Sequence, residues 1–154
     1  MKNIASKTIA LTLLVVSIFI ASIAQADIVV VVNKNNPVRT LTTNEVKQLF
    51  LGRMRNFPGV MADVEIVERE SSAEIYNAFY QHIIQRDAMW IKRYRARYYF
   101  SGQGRLPKTF KTEDEVIDYA ANNSGVATYI QLEANEPLPT GLKEVYRFST
   151  SIEE

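Results

Sequence analysis

Hydrophobic positions along this chain fall into short blocks, and their spacing alternates between strand-like runs and helix-like stripes. Ile28 to Val32 is an unbroken β-branched run. Such a run suits a strand buried on both faces, in a sheet covered by helices. Asn33-Lys34-Asn35-Asn36-Pro37 stops it with turn chemistry. Val46, Leu49 and Phe50 then recur at helical spacing behind the capping box Thr42-x-x-Glu45, and Gly52 is placed to end that helix. Asn56-Phe57-Pro58-Gly59 reads as a turn, and Val64 to Val67 as a second strand.

Ile75, Tyr76, Phe79, Ile83 and Ile84 define one side of a helix predicted from about Ser72 to Gln85. A further helix is predicted over Ala88 to Phe100, where Met89, Trp90, Tyr94, Tyr98 and Tyr99 form an aromatic stripe expected to pack into the core. Ser101-Gly102-Gln103-Gly104 is a tight loop that ends at Pro107. The box Thr112-x-x-Glu115 opens a helix to about Ala121, and Asn122-Asn123-Ser124-Gly125 turns the chain into a third strand, Val126 to Ile130, of alternating character. Asn135 to Thr140 is loop, and Val145 to Phe148 adds a short strand. Strands alternating with helices, without internal repeats, predict an α/β domain.

The amino terminus carries a different pattern. Lys2 and Lys7 precede an apolar stretch from Ile9 to Ile23, and Ala24-Gln25-Ala26 is a small-x-small cleavage site. Residues 1–26 therefore read as a signal peptide, and residues 27–154 as one exported domain that begins at Asp27. The expected location is the periplasm, with no membrane span left after cleavage. The chain has no cysteine, which excludes both a lipid anchor at the cleavage site and a disulfide. Its 18 Lys and Arg nearly balance 17 Asp and Glu, which argues against a nucleic-acid partner. The local cluster Lys92, Arg93, Arg95 and Arg97 spreads around a helix and reads as a solvated face.

Catalytic chemistry is sparse. The sole histidine, His82, lies inside a predicted helix and reads as a partly exposed structural residue. Thiol catalysis and multi-histidine metal sites are excluded by composition, and no nucleophile-elbow sequence occurs. Gly102-x-Gly104 lacks a third glycine and does not follow a strand, so a helix stop explains it. The chain reads as a binding module rather than an enzyme, with no metal or cofactor expected. The candidate chemistry is Arg69-Glu70-Ser71-Ser72-Ala73-Glu74, which joins the second strand to a helix. The first N–H groups of a helix lack intrahelical partners and carry partial positive charge. A guanidinium and two hydroxyls beside them would suit an oxyanion. The plain alternative is a serine N-cap, with Arg69 paired to Glu68, Glu70 or Glu74. Asn33, at the carboxyl end of the first strand, is a further candidate for the same rim, or else a turn former.

In order along the chain stand Val30-Val31-Val32-Asn33 with Asn36-Pro37, Leu41-Thr42 with Glu45-Val46, and Leu49-Phe50-Leu51-Gly52. Arg69-Glu70-Ser71-Ser72, Phe79-Tyr80, Trp90, Phe100 to Gly104 and Pro107 follow. Glu115-Val116, Tyr119 and Asn123 to Ile130 close the series. This order resembles the phosphate-binding proteins of ABC importers, which have the type 2 periplasmic-binding-protein fold. The resemblance implies a single lobe with a central mixed sheet flanked by helices. It also implies a phosphate or similar oxyanion held by Arg69, Ser71 and Ser72, and an ABC permease or another periplasmic protein as partner. In the family's phosphate binders a serine-glycine-threonine triplet follows the arginine; here Ser71-Ser72 leads into Ala73-Glu74 instead. Family members have two lobes that close over the ligand, whereas this chain has length for one. The resemblance therefore leaves two expectations open: an oxyanion receptor, with two chains pairing to rebuild a cleft, or a ligand-less interaction or regulatory module on the same fold. Glu74 discriminates between them, since a carboxylate folded onto the helix start would fill the anion seat itself.

Overall fold

A computed structural model describes residues 26–150. The signal peptide expected from the sequence lies outside the described residues apart from Ala26. Nine elements run in the order β1 (Asp27–Asn33), α1 (Thr43–Phe50), β2 (Glu65–Arg69), α2 (Glu74–Ile83), α3 (Ala88–Phe100), β3 (Lys108–Phe110), α4 (Glu113–Asn122), β4 (Val126–Leu132) and β5 (Leu142–Ser149) among the described residues. The five strands form one mixed sheet in the order β3-β2-β4-β1-β5. β2 is parallel to β3 and β4, while β1 runs antiparallel to β4 and β5.

The β-branched run of β1 takes the position its sequence suggests. Alternate side chains of a strand point to opposite faces. Ile28, Val30 and Val32 join the core with Phe50, Phe79 and Tyr129, on the face covered by α1, α2 and α3. Val29 and Val31 join Val67, Val116 and Ile130 on the face covered by α4. The first core is aromatic at its centre: Phe79 stacks on Tyr129 with ring centroids 4.0 Å apart and planes 9° apart. Truncating a buried Phe of this kind costs about 3–5 kcal/mol.

Both capping boxes form. The Thr42 and Thr112 hydroxyls accept from the amides of Glu45 and Glu115, and each glutamate accepts from its threonine amide in return. Gly52, with φ 73°, follows the last turn of α1 in the left-handed conformation a glycine allows.

Several expectations shift. β2 begins and ends later than Val64 to Val67, and α2 starts at Glu74 rather than Ser72. β3 has no counterpart in the sequence pattern, being three residues at a sheet edge, too short to show a period. β4 does not alternate: Val126 to Ile130 are all buried, because α4 covers the face opposite the main core. The stripe on α3 is core only in part: Trp90 and Tyr94 pack half-buried against the main core, while Met89 and Tyr99 are exposed. Ile91 is the buried residue of that helix, while Trp90, Tyr94 and Tyr98 stack on one another along its flank, with centroids 5.2 and 5.7 Å apart. Arg86 and Arg53 sit over the Trp90 and Tyr94 rings. Aromatic residues four apart meet on a helix whether or not a core covers them.

Candidate oxyanion seat

Two consecutive residues at the end of β2, Glu68 and Arg69, project to opposite faces of the sheet. Glu68 faces the aromatic core and is 1% exposed. A carboxylate there needs partners. Arg95, from α3, meets it with two parallel contacts, Nη1 to Oε1 at 2.5 Å and Nη2 to Oε2 at 3.0 Å. The Tyr80 hydroxyl donates to Oε2 at 2.6 Å, and Arg95 also donates to the hydroxyls of Tyr76 and Tyr80. Burial pushes the Tyr76 phenol up to about 12 and the Tyr80 phenol well above its usual value, with the Glu68 charge adding to both. Burial pulls the Arg95 pKa down, but the charges of Tyr80 and Glu68 outweigh it, so it stands above the ordinary arginine value. The knot is a filled structural unit. Arg95 is accordingly not part of a solvated basic face, because its charge is drawn inward to Glu68.

Arg69 is treated in the opposite way. It makes no ion pair with Glu68, Glu70 or Glu74 or any other acid among the described residues, and its Nε is buried without a hydrogen-bond partner. The following turn is closed by the Ala73 amide donating to the Glu70 carbonyl at 2.9 Å. The plain N-cap expected of Ser71 or Ser72 does not form. The N-cap residue of α2 is Ala73, which brings no side-chain cap. The chain advances one residue too far before the helix begins, so both hydroxyls are left exposed ahead of it.

Among the described residues, the amides of Ser71, Ser72, Glu74 and Ile75 donate to no backbone or side-chain acceptor, and neither serine hydroxyl is hydrogen-bonded. The Glu74 carboxylate accepts none of them, so the seat is not filled from within. Unspent amides at the start of a helix, with two serines and an arginine close by in the chain, are donors of the kind an oxyanion takes.

Asn33 does not join this group. β1 runs antiparallel to β4, which sets Asp27 opposite Leu132 and Val32 opposite Ala127. Ile66 also faces Ala127, so the carboxyl end of β1 lies at the amino end of β2, across the sheet from Arg69. The Asn33 amide donates to the carbonyls of Ala120 and Ala121 at 3.3 and 2.6 Å, and its Oδ1 accepts from the Asn35 amide at 2.9 Å. It fastens the end of α4 and shapes a turn, so the rule about strand carboxyl ends fails here for a strand of reversed direction. His82 is exposed and stacks on Phe148 with centroids 3.9 Å apart.

The residues that sequence reading missed are those of the knot. Glu68 carried a signal: on an alternating strand it shares a face with Ile66, so a core-facing acid was implied, and a buried acid calls for a basic partner.

No family profile matches this sequence, and no curated protein matches it. Solved structures do share its architecture. The fold is that of the substrate-binding proteins of phosphate ABC transporters. An ABC-type phosphate transport receptor from Vibrio cholerae superposes with a TM-score of 0.60 at 15% identity, over 79% of this chain and 46% of that one. A putative phosphate ABC transporter substrate-binding protein with bound phosphate, from Clostridium perfringens, gives a TM-score of 0.61 at 21% identity, over 79% and 45%. PstS from Borrelia burgdorferi gives 0.55 at 16% identity, over 71% and 42%. The chain thus spans somewhat under half the length of each of these structures, as a single lobe would.

Proposed function

We propose that this chain is an exported, non-enzymatic, single-lobe receptor for phosphate or a similar oxyanion, held by Arg69, Ser71 and Ser72 with the amides that open α2. The observation that carries this reading is the unspent donor set: an uncapped helix start preceded by an arginine without an acid. A buried, unpartnered donor is costly, and a bound anion removes that cost. The Clostridium perfringens neighbour holds phosphate on the same fold, which adds support. The Ser-Ser-Ala-Glu sequence replaces the family's serine-glycine-threonine, and one lobe leaves the anion wet on one side. Affinity is therefore set below that of a closed two-lobed site. A second copy of the chain would rebuild a cleft, and an ABC permease would be the natural acceptor of the ligand. The leader-like pattern of residues 1–26 supports export to the periplasm.

Isothermal calorimetry with phosphate at low salt on the chain from Asp27 to Glu154 tests the reading. Saturable binding that Arg69→Ala weakens about 10- to 100-fold is the expected result, the loss of a charge-assisted contact. No heat at millimolar phosphate would reject it and leave the ligand-less module as the reading of this fold.

A further inference from the structure

A recess lies at the other end of the parallel strands. It is a cavity of about 500 Å³ at the amino ends of β2 and β3, between the end of α1, the loop that follows it, and the loop after α3. That volume falls in the range of small-molecule sites. It shares no lining residue with the Arg69–Ile75 seat.

The recess is held open from both sides. Tyr98 packs against Gly52 and Gly104, and a Cβ on Gly104 would lie 2.2 Å from the Tyr98 ring, so the ring pins the second loop where it stands. Across the mouth, Arg55 Nη2 donates to the Gln103 carbonyl at 2.8 Å, and Arg105 pairs with Asp63 at 3.3 Å. The wall is apolar, built from Leu49, Phe50, Met54, Val64, Ile66 and Leu106. Leu106 is 53% exposed, a large apolar side chain uncovered beside an apolar hollow.

The charges around this wall are not balanced. Arg95 is spent on Glu68, Arg105 faces Asp63, the Glu65 carboxylate accepts from the Tyr119 hydroxyl at 3.0 Å, and Lys108 lies over the Tyr119 and Phe110 rings. Arg55 alone among these cations has neither a carboxylate nor an aromatic face, only a loop carbonyl. Its planar fork matches a carboxylate.

The geometry points to a second ligand site, for a small amphipathic carboxylate whose apolar tail fills this cavity and whose head pairs with Arg55. It is separate from the oxyanion seat in residues, in position and in the ligand it takes.

Octanoate is the probe, titrated into the purified exported protein by calorimetry, with inorganic phosphate and 1-octanol as the tail-less and headless comparisons. The expected result is saturable octanoate binding, unchanged by added phosphate and by Arg69→Ala. Arg55→Gln should weaken it at least tenfold while leaving 1-octanol binding in place, and Leu106→Asp should abolish both. Arg55 and Leu106 are exposed, so thermal melting should match the parent for both variants. Absence of saturable octanoate binding at millimolar concentration overturns the inference. So does octanoate affinity unchanged in Arg55→Gln, or octanoate binding lost in Arg69→Ala, which would place it in the oxyanion seat. Phosphate binding is read separately, so either site can fail alone.

Discussion

Glu68 and Arg69 are covalent neighbours with opposite fates, and the two faces of β2 differ accordingly. On one face an acid is sealed in the core, with every oxygen used by Arg95 and Tyr80. On the other a cation is left with a buried, unpartnered nitrogen, a few residues ahead of four amides that donate to no acceptor among the described residues. The lesson concerns where unfinished hydrogen bonding is tolerated. The Glu68 carboxylate is closed by partners from the chain, whereas Arg69 Nε, like the buried Thr128 and Tyr129 hydroxyls, has none among the described residues. A group left open near a helix start is the candidate for a ligand contact proposed above.

The largest expected effect comes from breaking the closed face. Glu68→Ala strands Arg95 among Tyr76, Tyr80 and Phe50, and loss of one partner of a buried pair costs about 3–5 kcal/mol. Urea unfolding should show the unfolding free energy falling by that amount, with a matching drop in midpoint, while the double variant Glu68→Leu, Arg95→Met should recover most of it. A midpoint unmoved by Glu68→Ala would mean that the knot carries no stability. Arg69→Ala is the mirror experiment: it should leave the unfolding free energy within about 0.5 kcal/mol of the parent, as for a group with no partner to lose. A drop comparable to that of Glu68→Ala would show a structural role and remove the contrast.

Smaller effects sharpen it. Tyr80→Phe deletes one donor to Glu68 and should cost about 1–3 kcal/mol in the same assay. In alkali the sign follows from the raised phenols. The folded-state values of Tyr76 and Tyr80 lie above the ordinary 10, so the unfolded chain sheds these protons first. Their contribution is complete below pH 10, and stability should fall as the pH climbs through 10 toward 12, followed by ellipticity and tyrosinate absorbance together. An unfolding free energy that stays level from pH 10 to 12 would contradict it. Last, Glu74→Gln removes a carboxylate from the edge of the seat and should tighten phosphate by roughly two- to fivefold, a change of about 0.3–1 kcal/mol. Unchanged affinity would place Glu74 outside the anion's field.

Local chemistry was legible where it is encoded locally. The capping threonines, the Ala88–Phe100 helix and the doubly buried β1 run all stand where spacing put them. Arg69, Ser71 and Ser72 are gathered at one turn because they are nearly adjacent in the chain. What was hidden depends on direction and on distant partners. Asn33 faces away from Arg69 only because β1 is reversed, and strand direction has no signature in a run of valines. The destination of Arg95 is Glu68, a helix away, and nothing in Lys92-Arg93-Tyr94-Arg95 marks which cation turns inward. Ala73 displaces the serines from the cap because the helix start is set by how α2 packs, within the usual play of one or two residues.

The reversed β1 also governs timing. Val29 finds its neighbours only at Ile130 and Arg147, near the far end of the chain. β1 is made about a hundred residues before β4 and β5, so through that stretch of synthesis it has neither of its neighbouring strands to pair with. Closing so long a loop is slow. An apolar ribbon waiting that long is a natural client for a holding chaperone. A chain that cannot close its sheet early also remains threadable until the last strands have been made.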